Sequence, residues 1–278
     1  MNPMTLFSRW TLIAALLLGA ATTYAALPDA ESDANNEVWN KVRKSLFENR
    51  HISEKADKII QLDTPVRAED ASTVPISIRT QLQQNPNEFV KKVYLLVDRN
   101  PSPIAAVFTF TPDSGRADLE TRIRIEEYSY VRAVAEMNDG KLYSVSRYVK
   151  ASGGCSAPAG KDLAEAMTKL GKIKMRLEND VKFNQPNLVQ LMVNHPNSSG
   201  LAMDQVTRLF VPAHYVRRVN VTYADKPIMT ADVDFSISEN PNFRFYFVPK
   251  EKGVLKAEVE DSTDKKFNST LEVKPGAS

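Results

Sequence analysis

The chain has 278 residues, 42% hydrophobic and 25% charged, ordinary values for folded globular material, and its length suits two domains of about 100 to 130 residues. With 36 Lys and Arg against 34 Asp and Glu the formal charge is +2, too even a balance for a general electrostatic grip on nucleic acid or anionic lipid. A single cysteine excludes an internal disulfide.

Met1 to Ala25 reads as a signal peptide: Arg9 precedes the apolar run Leu12 to Leu18, and Thr23-Tyr24-Ala25 supplies the small residues of a cleavage site. The run is too short for a membrane span, no later stretch is longer, and no cysteine stands near the cleavage point to take a lipid. The expectation is a soluble mature protein outside the cytoplasm. After the polar stretch Asp29 to Asn36, the segment Glu37 to Phe47 places Val38, Trp39, Val42, Leu46 and Phe47 near helical spacing, which predicts an amphipathic helix. Short β-type runs follow at 74–78, 93–97, 104–110 and 121–125, punctuated by Pro, Asn, Asp and Gly. Tyr130 to Met137 and Leu142 to Val149 flank Asn138-Asp139-Gly140, a hairpin signal because Asp-Gly tolerates the positive φ of a tight turn.

The second hairpin strand leads into Ala151-Ser152-Gly153-Gly154-Cys155-Ser156-Ala157-Pro158-Ala159-Gly160, which holds the sole cysteine. A free cysteine is usually a buried small hydrophobe. Small, loop-forming neighbours in an exported chain instead predict a presented, reactive thiol, with Gly153 and Gly154 supplying a flexible arm and Lys150 and Lys161 raising the thiolate fraction modestly. Beyond it, Lys161 to Leu170 predicts a short connector helix stopped by Gly171. Strands are then expected at 173–177, 188–194, 209–211, 215–223, 228–235, 243–248, 254–260 and 267–273, a density that points to a β-sandwich. The predicted fold is all-β: two immunoglobulin-like sandwiches joined by a cysteine-bearing connector with a short helix, bounded at 26–155, 156–171 and 172–278.

Other candidate sites read as structural. His51, His195 and His214 are far apart in sequence and in no metal-ligand spacing, so three isolated histidines and no metal are expected. Asp232 with Asp234, and Glu258 with Glu260, are pairs two apart on strands, commoner on solvated sheet faces than in acid/base sites. Phe243, Phe245 and Phe247 form a core-facing stripe, and Arg217-Arg218 a solvated cluster. No Gly-x-Ser-x-Gly, phosphate loop, Cys-x-x-Cys or His-Glu-x-x-His occurs, so no catalytic residue and no cofactor are assigned.

Several stretches resemble a known family. Asn194-His195-Pro196 with Gly200, Val211-Pro212-Ala213-His214-Tyr215-Val216-Arg217, and Glu239-Asn240-Pro241 with Phe243 to Phe247 resemble SoxZ, and the 267–273 run resembles its closing strand. Trp39 to Cys155, through Thr73-Val74-Pro75-Ile76 and Gly153-Gly154-Cys155, is similar to SoxY. The resemblance implies immunoglobulin-like folds and a non-catalytic periplasmic carrier of thiosulfate oxidation, with sulfur attached covalently to Cys155 as a persulfide or S-thiosulfonate. It implies partners supplied in trans: a haem c coupling enzyme, a manganese thiosulfohydrolase and a sulfur dehydrogenase. Here the two chains are fused, so the thiol arm is an internal loop continuing into Ser156, Ala157 and Pro158. Such fused chains resemble SoxYZ-like carriers associated with quinoprotein dehydrogenases, which gives the alternative of an accessory docking protein for a quinoprotein (PQQ) alcohol dehydrogenase system without covalent cargo.

Overall fold

A computed structural model describes residues 36–158, 163–205 and 207–274; the expected signal peptide, with Ala159, Gly160 and Lys161 of the connector, lies outside them. Helix α1 (Glu37–Phe47) begins where Asn36 accepts a hydrogen bond from the Trp39 N–H at 3.0 Å, the N-cap arrangement expected of asparagine. It buries Trp39 and Phe47 in a small apolar cluster with Ile52, Leu96, Val134 and Leu142.

The strands are β1 (Ile52–Ser53), β2 (Ile60–Asp63), β3 (Val74–Thr80), β4 (Val90–Val97), β5 (Ile104–Phe110), β6 (Leu119–Ile123), β7 (Ser129–Met137) and β8 (Leu142–Val149). Helix α2 (Leu163–Thr168) follows, then β9 (Ile173–Leu177), β10 (Asn187–Val193), β11 (Val216–Tyr223), β12 (Lys226–Val233), β13 (Asn242–Phe247), β14 (Gly253–Asp261) and β15 (Lys266–Val273). The all-β expectation holds. Two differences stand out. The short strands β1 and β2 carry too few residues for a periodic signal, and the expected strand at 209–211 contributes only an isolated bridge from Phe210 to Met203.

The strands form a nine-stranded sheet, β1-β8-β7-β4-β5-β12-β11-β14-β15, packed on a six-stranded one, β2-β3-β6-β13-β10-β9. Each sheet runs unbroken from the first half of the chain into the second. In the larger, β5 pairs with β12 from Phe110↔Met229 to Ala106↔Val233; in the smaller, Glu120 of β6 pairs with Arg244 of β13. The halves are thus joined by strand pairing as well as by the connector. The physical reason is that each half alone would expose the edges of β5, β6, β12 and β13, and pairing satisfies those backbone groups. A single apolar cluster accordingly runs from Ile60 to Val273, and Phe108 meets Phe243 edge to face across the junction at 5.9 Å. Phe243, Phe245 and Phe247 are all fully buried, as the alternation predicts.

One buried ion pair ties α1 to the larger sheet. Arg132 donates to both Asp98 oxygens at 2.7 to 3.0 Å, lies 4.4 Å from the Trp39 ring centroid, and Asn36 Nδ2 donates to the same carboxylate. Breaking such a pair leaves an uncompensated buried charge. Asp98→Ala should lower the unfolding free energy by about 3 to 5 kcal/mol in urea titrations.

Candidate functional site

The thiol lies where the two halves meet. After β8 the chain crosses the end of β6, and its backbone is pinned there: the Gly153 N–H donates to the Glu126 carbonyl (2.8 Å) and the Gly154 N–H to that of Ile125 (2.9 Å). The Glu126 carboxylate accepts the N–H groups of Cys155 (2.8 Å) and Ser156 (3.1 Å), and the Ser156 hydroxyl (2.8 Å). From the second half, Ser199 Oγ donates to the Cys155 carbonyl.

The expectation of a presented thiol is therefore corrected: Cys155 is only 1% exposed. Small residues here do not mean a loose arm. A Cβ on Gly154 would collide with the Ala71 carbonyl and stand 2.8 Å from the Ile125 nitrogen, so glycine permits close packing. Burial pushes the thiol pKa up to about 12; Glu126 and Asp234 add to the rise and Arg124 opposes it. Among the described residues the charges acting on the thiol are these three; Lys150 is not one of them, and Lys161 lies outside the described residues. Yet Cys155 belongs to neither apolar cluster.

Arg124 organises the cover from below. It is buried, and its Nη1 donates to the carbonyls of Asn197 (2.7 Å), Ile237 (2.9 Å) and Phe235 (3.0 Å), all in the second half. Asn197 in turn accepts the Val216 N–H (2.8 Å) and donates to Ile237 O (2.7 Å). Sequence reasoning missed Arg124 and Glu126; their position just past β6 is informative only once that strand is known to end under the cysteine segment.

The expectation of three isolated histidines is also corrected for two of them. His195 follows β10, His214 precedes β11, and Asp261 ends β14, strands whose ends the topology brings together. The two rings meet edge to face at 4.5 Å, and Asp261 Oδ2 lies 2.8 Å from His214 Nε2 and 3.6 Å from His195 Nε2. His51 is exposed beside β1 and not among them. The ligand atoms of the three residues lie within 4.8 Å of one another, close enough for a cation. The hydrogen bonding favours a different use: the Asn197 N–H donates to His195 Nδ1 (3.0 Å), so the proton of that neutral ring sits on Nε2, which cannot then ligate a metal. His214 Nε2 is hydrogen-bonded to Asp261, and the cluster fixes the 195–200 loop, whose Ser198 carbonyl accepts the His214 backbone N–H (3.0 Å) and whose Ser199 donates to the Cys155 carbonyl.

Acid should open this cluster in two steps. Burial, reinforced by His214, holds His195 down at about 4, so the unfolded chain binds a proton first and stability is lost as pH falls from 6.5 towards 4, by about 3 kcal/mol. Burial alone would raise Asp261, but donors from His214, Thr263 and Lys265 bring it down to about 2, so a further loss follows below pH 3.8. Urea midpoints at pH 7, 5 and 4 check the first step, which His195→Asn should flatten.

The other pairs are structural. Asp232 is bound to Arg218 at 2.8 to 2.9 Å, and Arg217 pairs with Glu260 and Asp264, so the arginine cluster is engaged in ion pairs. Burial raises Asp234, which accepts from Ser102 at 3.0 Å.

Residues 43–155 match the family described as "Sulfur oxidation protein SoxY" and residues 175–272 that described as "Sulphur oxidation protein SoxZ". Among solved structures, the sulfur carrier protein SoxY from Chlorobium limicola f thiosulfatophilum is 24% identical, covering 41% of this chain and 96% of its own, with a TM-score of 0.34. A superoxide reductase (neelaredoxin) from Ignicoccus hospitalis is 10% identical over 36% of this chain and 94% of its own, with a TM-score of 0.32. No curated protein matches the chain. The two family matches lie in tandem on either side of the segment after the cysteine, so the chain belongs to the SoxY and SoxZ sulfur-oxidation protein families, with both domains on one polypeptide.

Proposed function

We propose that this protein is a periplasmic, non-catalytic carrier that holds sulfur intermediates covalently on Cys155 for partner enzymes to transform. The observation that carries the reading is the setting of Cys155: the sole thiol, the last residue of the SoxY match, buried yet outside both apolar clusters. A thiol serving as core packing would sit among aliphatic side chains. This one is held by the Glu126 carboxylate, which accepts from the Cys155 and Ser156 N–H groups, and by Ser199, which donates to the Cys155 carbonyl. The signal-like start, Met1 to Ala25, supports the periplasmic location.

On this reading the buried Cys155 is the closed form of the carrier. With the segment released, the thiol returns to the ordinary range near ~8.5, where a few per cent is thiolate at neutral pH. The thiolate then forms an S–S bond with a thiosulfate dianion as two electrons pass to a c-type haem oxidoreductase, leaving an S-thiosulfonate. Water breaks the bond to the terminal sulfonate sulfur on a thiosulfohydrolase, releasing sulfate and two protons and leaving the persulfide. Burial of the thiol favours one competing reading, an accessory protein of a quinoprotein alcohol dehydrogenase system in which Cys155 bears no cargo. Mass spectrometry of protein from its native compartment separates them. A thiosulfonate or sulfane-sulfur adduct on Cys155 supports the carrier, whereas a bare thiol during active sulfur oxidation, with partner binding that survives Cys155→Ala, would sink it.

A further inference from the structure

On the outer face of the six-stranded sheet one row of side chains runs in register through every strand: Asp63 opposite Ser77, then Glu120, Arg244, Gln190 and Arg176. Five strand spacings of about 4.8 Å make the row roughly 24 Å long. It crosses the junction of the two halves at the Glu120–Arg244 ion pair (2.7 Å). A groove of about 860 Å³ follows it, walled by Thr64 to Val66 at one end and flanked by Arg79, Arg122 and Arg147.

The groove differs from an ordinary solvated sheet face in charge and in hydrogen bonding. Its lining holds five arginines against three carboxylates. Each carboxylate is already engaged: Asp63 with Arg79 (3.2 Å), Glu120 with Arg244 (2.7 Å) and Glu178 with Arg176 (3.3 Å). Arg147 reaches away to Asp57, and the exposed Arg122 has no ion-pair partner among the described residues. The lining also holds buried polar atoms without a hydrogen-bond partner: the hydroxyls of Thr64, Ser77 and Thr121, Glu178 Oε1, Gln190 Oε1 and Arg244 Nε. These are three hydroxyls, two acceptors and a donor, so the complementary ligand carries both donors and acceptors, and the excess of arginines over carboxylates adds a preference for negative charge. No Phe, Tyr or Trp lines the groove, so a stacking platform for sugar rings or bases is missing.

We propose that this groove binds an acidic peptide, an extended carboxylate-bearing segment of a partner protein laid across the strands. Every residue of such a peptide brings an N–H and a C=O for the mixed floor. Its carboxylates meet guanidiniums in the planar two-pronged geometry arginine favours. About seven extended residues span the row, and Pro65, Pro75 and the exposed Val66 offer an apolar end.

The test uses the full chain and a fluorescein-labelled heptapeptide of alternating Asp and Val, with an Asn/Val peptide as control, read by fluorescence anisotropy. The acidic peptide should bind, the control should not, and amide NMR shifts should map to β3, β6, β10 and β13. Arg122→Glu, at an exposed side chain, should weaken binding about tenfold, the worth of a charge-assisted contact, with the urea midpoint unchanged. Equal binding of both peptides, indifference to Arg122→Glu, or shifts confined elsewhere overturns the proposal. Citrate displacing the peptide at equal concentration also overturns it, by making the ligand a small carboxylate.

Discussion

Gly154→Ala should convert Cys155 from a protected thiol into a reactive one. The added Cβ would meet the Ala71 carbonyl and the Ile125 nitrogen, backbone atoms that cannot rotate aside. The cysteine segment must then leave its dock on Glu126, which puts the thiol in water. A thiol at about 12 in the closed arrangement and near ~8.5 when free differs by about three orders of magnitude in thiolate fraction at pH 7. Wild-type protein should therefore react with maleimide slowly, through rare openings, and Gly154→Ala about a hundredfold faster or more. Glu126→Ala should act the same way by removing three hydrogen bonds to a carboxylate. Both variants should lower the urea midpoint by the docking free energy they remove, because the lost contacts exist only in the folded state, while the pairing within both sheets is kept. Labelling of Gly154→Ala at the wild-type rate would mean that the thiol is reached without opening.

The pH dependence has a definite sign. The closed pKa is raised, so closure is fully favoured below the free value and is lost as pH rises through the window from about 9 to about 12. Each unit in that window costs the closed state about 1.4 kcal/mol. Wild-type labelling should climb more steeply above pH 9 than that of Gly154→Ala, in which the thiol titrates freely.

These expectations show what the sequence makes legible. Helix 37–47 is readable from its apolar spacing, and the phenylalanine stripe of β13 because alternation fixes its inner face. The junction is not readable: pairing of β5 with β12 depends on which edges are left open, and periodicity within a strand carries no information about its neighbours. For the same reason His195, His214 and Asp261 read as unrelated until β11 and β14 are aligned. The cysteine segment misleads in an instructive way. Its glycines are compatible with a free arm and with a tight fit, and only the positions of Ala71 and Glu126 distinguish the two.

Arg124→Met should have a large effect on stability and a second effect on the thiol. The side chain removed is buried, and its Nη1 serves three second-half carbonyls, Asn197, Phe235 and Ile237. Methionine fills much of the volume but donates nothing, so buried acceptors lose their charged partner at a cost of about 3 to 5 kcal/mol, visible as a lower urea midpoint. Asp98→Ala costs a similar amount, but that pair lies under α1 on the far side of the larger sheet. The two variants therefore part company at Cys155. Arg124 holds Asn197, Asn197 anchors the loop that carries Ser199, and Ser199 closes over the cysteine carbonyl. Arg124→Met should raise the maleimide rate of still-folded protein at least tenfold in mild conditions, while Asp98→Ala leaves it near wild type; equal rates in the two would detach the cover of the thiol from the junction between the halves.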